Sequence, residues 1–111
     1  MHIHLVQPDE ASARALADDF EELGHDVEVD ESTAADVPDG TPDALVVCLD
    51  AAPETALERA AVLAERRRLR SVPLLFAGGT EHWLTEAQRR FPRASFARMD
   101  VLHNAVASLR G

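Results

Sequence analysis

The stretch Pro42-Asp43-Ala44-Leu45-Val46-Val47-Cys48-Leu49-Asp50-Ala51-Ala52-Pro53 sets the terms for everything around it. From Ala44 to Leu49 every residue is apolar, so no alternation marks a wet face. Prolines close the segment on both sides, and it is too short for a buried helix. A run of this kind predicts the central strand of a parallel sheet with helices on both faces.

The rest of the chain supplies those neighbours. Ile3-His4-Leu5-Val6 reads as the first strand, ended by Pro8. Asp9 is placed to cap a helix whose apolar face carries Ala13, Leu16, Phe20 and Leu23, with Gly24 at its C-terminal stop. Residues 25–30, His-Asp-Val-Glu-Val-Asp, alternate as an exposed edge strand does, and their charges blunt pairing with strangers. Between Ser32 and Thr41 no period holds, which predicts one helical turn starting at Ser32 or Thr33 and then loop. Pro53-Glu54 opens a helix with Leu57, Ala60, Ala61, Ala64 and Leu69 as its stripe and Arg66, Arg67, Arg68 and Arg70 in its last turns. Residues 72–77 read as another internal strand. Thr80 then caps a helix that turns Trp83, Leu84, Ala87 and Phe91 inward. Residues 94–99 form the fifth strand, and Asp100 caps a last helix with Val101, Leu102, Ala105, Val106 and Leu109 on one face.

Five strands alternating with helices predict an α/β three-layer sandwich around a five-stranded parallel sheet. The flavodoxin-like order 2-1-3-4-5, with a stunted second helix, suits the edge character of the second strand. At 111 residues the chain is expected to form a single domain over 1–111. A hydrophobic fraction of 46% places it among folded proteins. No apolar run approaches the ~20 residues of a membrane span, and the N-terminus lacks a signal-peptide pattern. With one cysteine, the expected compartment is cytoplasmic.

The formal charge of −9 argues against nucleic acid or membrane as partners. It is also unevenly spread: residues 1–55 carry −14 and residues 56–111 carry +5. The chain has no lysine, so all 11 positive side chains are guanidinium groups.

The segments Leu5 to Gly24, Pro42 to Pro53 and Val72-Pro73-Leu74-Leu75-Phe76 together resemble a response-regulator receiver domain of the CheY type, over almost the whole chain. The resemblance implies a signalling domain whose magnesium acids would fall at Gln7 and Pro8. It puts the phosphoacceptor at Cys48 or Leu49, the hydroxyl residue at Gly78 and the lysine at Met99. None of these positions keeps the chemistry. Arg98 is the neighbouring cation, but strand alternation points it away from Met99. The expectation is a degenerate, phosphorylation-independent pseudo-receiver that is not an enzyme and needs no cofactor.

Other constellations have plain alternatives. Asp9, Asp50 and Asp100 follow strand ends, where a cation could bind, or are caps and a loop acid. Gly78-Gly79-Thr80 offers N–H groups to a phosphate, or is an ordinary strand-to-helix turn. Cys48 reads as a small buried hydrophobe rather than a reactive thiol. His2 and His4 share one side of their strand but have no third metal ligand in view.

Two functions follow. The first is a protein-interaction module, expected to bind a protein or itself as a homodimer; the resemblance implies pairing through the last two helices and fifth strand, with Trp83, Arg89, Arg90, Arg98 and Leu102 at the interface. The alternative is a small-ligand or phosphate-binding protein using Asp9, Asp50, Gly78, Gly79 and Thr80. Phosphorylation on Asp50 is a third and lesser possibility.

Overall fold

The computed structural model describes residues 1–30, 41–66 and 69–108. In chain order the elements are β1 (His2–Val6), α1 (Glu10–Glu22), β2 (Asp26–Val29), β3 (Ala44–Cys48), α2 (Pro53–Ala64), β4 (Leu74–Ala77), α3 (Glu81–Arg90) and β5 (Ser95–Ala97). A 3-10 turn (Met99–Val101) then leads into α4 (Leu102–Ser108). All strand pairs are parallel, in the order β2-β1-β3-β4-β5. The helical turn expected at Ser32 or Thr33 lies outside the described residues, as do Arg67, Arg68 and Leu109.

Strand β3 is buried at all five positions. Its residues divide by parity. Val46 and Cys48 pack with Ile3, Leu5 and Leu75 beneath Phe20 of α1 and Val106 of α4. Leu45 and Val47 pack with Val6 and Phe76 beneath Leu57 and Leu63 of α2 and Ala87 of α3. Two dry layers flanking one sheet are the three-layer arrangement that the continuous apolar run demands.

Four local expectations change. Helix α2 stops at Ala64 instead of reaching Arg70, because the Arg66 N–H bonds back to the Leu63 carbonyl and tightens the chain into a turn. Leu69 still reaches the core, from beyond the helix. Leu23 is not on the buried face of α1: it is the C-cap residue and stands 58% exposed. Leu102, expected at an interface, is 1% exposed and packs with Val106 in the core under α4, so it is unavailable to a partner. Asp100 does not cap the last helix; it lies within the 3-10 turn and pairs with Arg98 at 3.2 Å.

One polar cluster lies inside the fold. Asp30, just past β2, is 6% exposed, and so is Arg59 on α2. Arg59 Nε donates to Asp30 Oδ2 at 2.7 Å and Nη2 donates to Oδ1 at 2.9 Å. His4 Nε2 lies 2.8 Å from the same Oδ1, and an ionised carboxylate only accepts, so this nitrogen carries the proton. His2 and His4 do share a side of β1, and Glu28 Oε2 stands 3.9 Å from a ring nitrogen of each. What His4 serves is the Asp30 cluster. The cluster pins β1, β2 and α2 together through one carboxylate.

Burial pushes the Asp30 carboxyl up, but the hydrogen bonds from His4 and Arg59 and their charge outweigh it, leaving the group below its ordinary value. A depressed carboxyl stabilises the fold above its unfolded value of ~3.9 and loses that contribution as pH falls through the folded value. Asp30→Ala removes the carboxylate that His4 and Arg59 share inside the fold and is expected to cost about 3–5 kcal/mol in urea unfolding at neutral pH. Replacing His4, Asp30 and Arg59 together by leucine or methionine should cost far less and flatten the fall in stability below about pH 4. Equal losses in the single and triple variants would contradict the cluster's role.

Candidate functional site

In a parallel α/β sheet the loops after the strands gather at the carboxyl edge, where ligands bind. Here that edge carries Gln7-Pro8-Asp9 after β1, Leu49-Asp50 after β3, Gly78-Gly79-Thr80 after β4 and Arg98-Met99-Asp100 after β5.

The first group is occupied with folding. Gln7 is 5% exposed, and its Oε1 accepts from the Asp9 N–H at 3.2 Å. Asp9 is the N-cap of α1, with Oδ2 accepting from the Ser12 N–H at 2.9 Å. Hydrogen bonding from Ser12, side chain first and backbone second, holds the Asp9 carboxyl below its usual value. The cap reading of Asp9 therefore holds.

The second and third groups meet. Leu49 is buried, with its N–H on the Ala77 carbonyl at 2.9 Å. Asp50 is exposed, and its Oδ1 accepts from the Gly79 N–H at 2.7 Å. Gly78 and Gly79 have φ of +71° and +92°, the left-handed region where a side chain is strained. Space is equally restrictive. A Cβ on Gly78 would sit 2.6 Å from the Asp50 carboxyl carbon, and one on Gly79 would sit 2.9 Å from Leu49 Cβ. The Asp50 carboxylate thus takes the room a side chain at position 78 would need. Thr80 stands at the N-cap position of α3, but its hydroxyl makes no cap bond.

An open hollow of about 460 Å³ lies beside this turn, bordered by Asp50, Gly78, Leu84, Arg98, Met99 and Asp100. Arg98 and Met99 were expected on opposite faces, yet both border it. Strand β5 ends at Ala97 and the 3-10 turn begins at Met99, so strand alternation no longer applies there. Asp50, Arg98 and Asp100 are brought together; Asp9 is not among them. Among the described residues no three His, Cys, Asp or Glu side chains are grouped to hold a metal ion.

The remaining candidates are structural. Cys48 is fully buried, and burial, helped by the charge of Asp50, pushes its thiol up to about 12. That leaves no thiolate for chemistry near neutral pH. His25 and His103 pack edge-on against Phe20. Trp83 is half-buried against the core beneath α2 and α3. Arg89 and Arg90 both reach Glu86, the latter through Nε at 3.1 Å. Hydrogen bonding from Arg89 leads the effects that keep the Glu86 carboxyl low. The His4–Asp30–Arg59 cluster went unread in the sequence. Its one signal is an arginine inside the apolar stripe of α2, between Leu57 and Ala60.

A doubly wound parallel sheet with a glycine-rich turn after β4 narrows the class, and solved structures narrow it further. The chain superposes on the Vibrio cholerae chemotaxis protein CheY4 with a TM-score of 0.75 at 12% identity, covering 97% of each chain. It matches the signal receiver domain of a modulated diguanylate cyclase from Desulfovibrio desulfuricans G20 with a TM-score of 0.70 at 22% identity, covering 97% of this chain and 91% of that one. A response regulator receiver protein from Burkholderia phymatum gives 0.69 at 18%, covering 97% and 93%. No family model and no curated protein matches. The chain has the fold of a response-regulator receiver domain.

The Asp50–Gly79 contact makes a definite prediction. Gly78→Ala should cost about 1–2 kcal/mol from the left-handed backbone, plus about 1 kcal/mol for the displaced Asp50 hydrogen bond. In an Asp50→Ala background only the backbone part should remain, giving a coupling of about 1 kcal/mol in a double-mutant cycle by chemical denaturation. Strict additivity would show that the carboxylate does not occupy that space.

Proposed function

We propose that this chain is a non-catalytic, phosphorylation-independent member of the receiver-like domains, working by binding protein. The observation that carries the reading is the Asp50 carboxylate seated on the Gly79 N–H above Gly78. In the resemblance the hydroxyl residue of the site falls at Gly78, so a carboxylate already fills the space that residue would use. The two acid positions fall at Gln7 and Pro8, and Gln7 is buried in a backbone contact. At the end of β3 stands buried Leu49, which has no acceptor oxygen to offer. The cation position falls at Met99, and the chain contains no ammonium side chain to replace it. Arg98 is engaged with Asp100 and is a planar fork rather than the compact point charge of a lysine.

The same geometry weighs against a phosphate-binding role for Gly78, Gly79 and Thr80. An anion arriving at that turn would have to displace a tethered carboxylate from the N–H it needs. An interaction role draws support from what stays exposed. Arg89, Arg90 and Arg98 stay exposed on α3 and past β5, paired with Glu86 and Asp100 into a mixed-charge surface suited to a polar protein partner.

Incubation with acetyl phosphate and magnesium, followed by intact-mass measurement, is expected to leave the chain unmodified. A stable gain of one phosphoryl group on Asp50 would overturn the reading.

A further inference from the structure

A second hollow, of about 520 Å³, opens at the opposite edge of the sheet, where β3 and β4 begin. Its wall is apolar, with Leu69, Val72 and Phe91 among the lining residues, and Arg70, Arg90 and Arg93 stand around it. Arg70 and Arg93 are exposed, and among the described residues neither has a carboxylate partner. An apolar floor edged by two unpaired guanidinium groups, with Arg90 held on Glu86, fits an apolar side chain carried on an acidic segment.

The chain itself displays such a segment at the same edge. Leu23, at the end of α1, is the most exposed large hydrophobic among the described residues at 58%. Asp19 stands one helical turn before it, Glu21 and Glu22 precede it directly, and Asp26 opens β2 just beyond; all four are exposed. No basic residue occupies the last turn of α1 to answer them. Leu23 and the hollow belong to different sides of the sheet. Leu23 ends the helix over the Ile3–Phe20 core, whereas Leu69 and Phe91 belong to the layer beneath α2 and α3.

We infer that the chain binds a second copy of itself by placing the Leu23 knob of one molecule in the arginine-ringed hollow of the other. This deepens the protein-binding reading above and rests on it. The contact joins two unlike patches, acid to base. A single apolar anchor within a charged rim makes a weak, salt-sensitive association.

Sedimentation velocity of the full chain, up to about 1 mM and at about 50 and 500 mM salt, tests it. Self-association is expected at low salt, weakened at least about tenfold at high salt as the charged rim is screened. Leu23→Asp should abolish it, as should the pair Arg70→Glu and Arg93→Glu. All three positions are exposed, so folding is expected to survive, checked by circular dichroism. Mixing the two defective proteins should restore a complex containing one copy of each, since one retains the hollow and the other the knob. Wild-type chain that stays monomeric throughout, or variants that associate like wild type, would overturn the inference. Neither result touches the reading of the carboxyl edge, which the acetyl phosphate experiment decides separately.

Discussion

A strand without a wet face is the constraint on which this structure depends. Once β3 is dry on both sides, helices must cover both faces of the sheet, and parallel neighbours follow because only crossovers can deliver them. The crossovers then sort the molecule into two edges with different chemistry. Loops that follow strands collect at one edge, loops that precede them at the other.

At the carboxyl edge the decisive feature is where one carboxylate stands. Asp50 follows β3, one residue beyond buried Leu49. From there it crosses to the next loop, where it meets a backbone N–H. The contact is only possible because residue 78 has no side chain. Asp50 and Gly78 are therefore one device: each residue makes sense of the other. A carboxylate used in this way satisfies an otherwise open donor at the start of α3 and shapes the turn.

Much of this was legible in the chain. The central strand, the edge character of β2 and the strand order followed from apolar continuity against alternation, signals that depend on burial alone. Leu102 was read correctly as part of the buried face of the last helix, and only its placement at an interface, carried by the resemblance, failed. Leu23 defeated the same logic because it lies at a helix end. There a one-residue change in where the helix starts or stops rotates a side chain by about 100°. Arg98 and Met99 were misplaced for a related reason, since alternation fails once a strand gives way to a 3-10 turn. The Asp30 cluster was illegible for a different cause. It joins residues 4, 30 and 59, and nothing local says that an acid ending an edge strand will be buried. Only the packing of α2 over β1 brings its arginine within reach.

That buried cluster also bears on how the charge of the whole molecule is read. The acidic first half of the chain and the arginine-rich second half meet inside the fold at Asp30 and Arg59, where the pair is fixed and dry. Most of the other described charges stay in water. Buried charge sets the relative position of β1, β2 and α2. Exposed charge, free to be screened and re-paired, governs how the surface meets other molecules. A chain that answers carboxylates only with guanidinium groups has forks that can chelate an acid in two places but no compact cation to follow a transferring phosphoryl group.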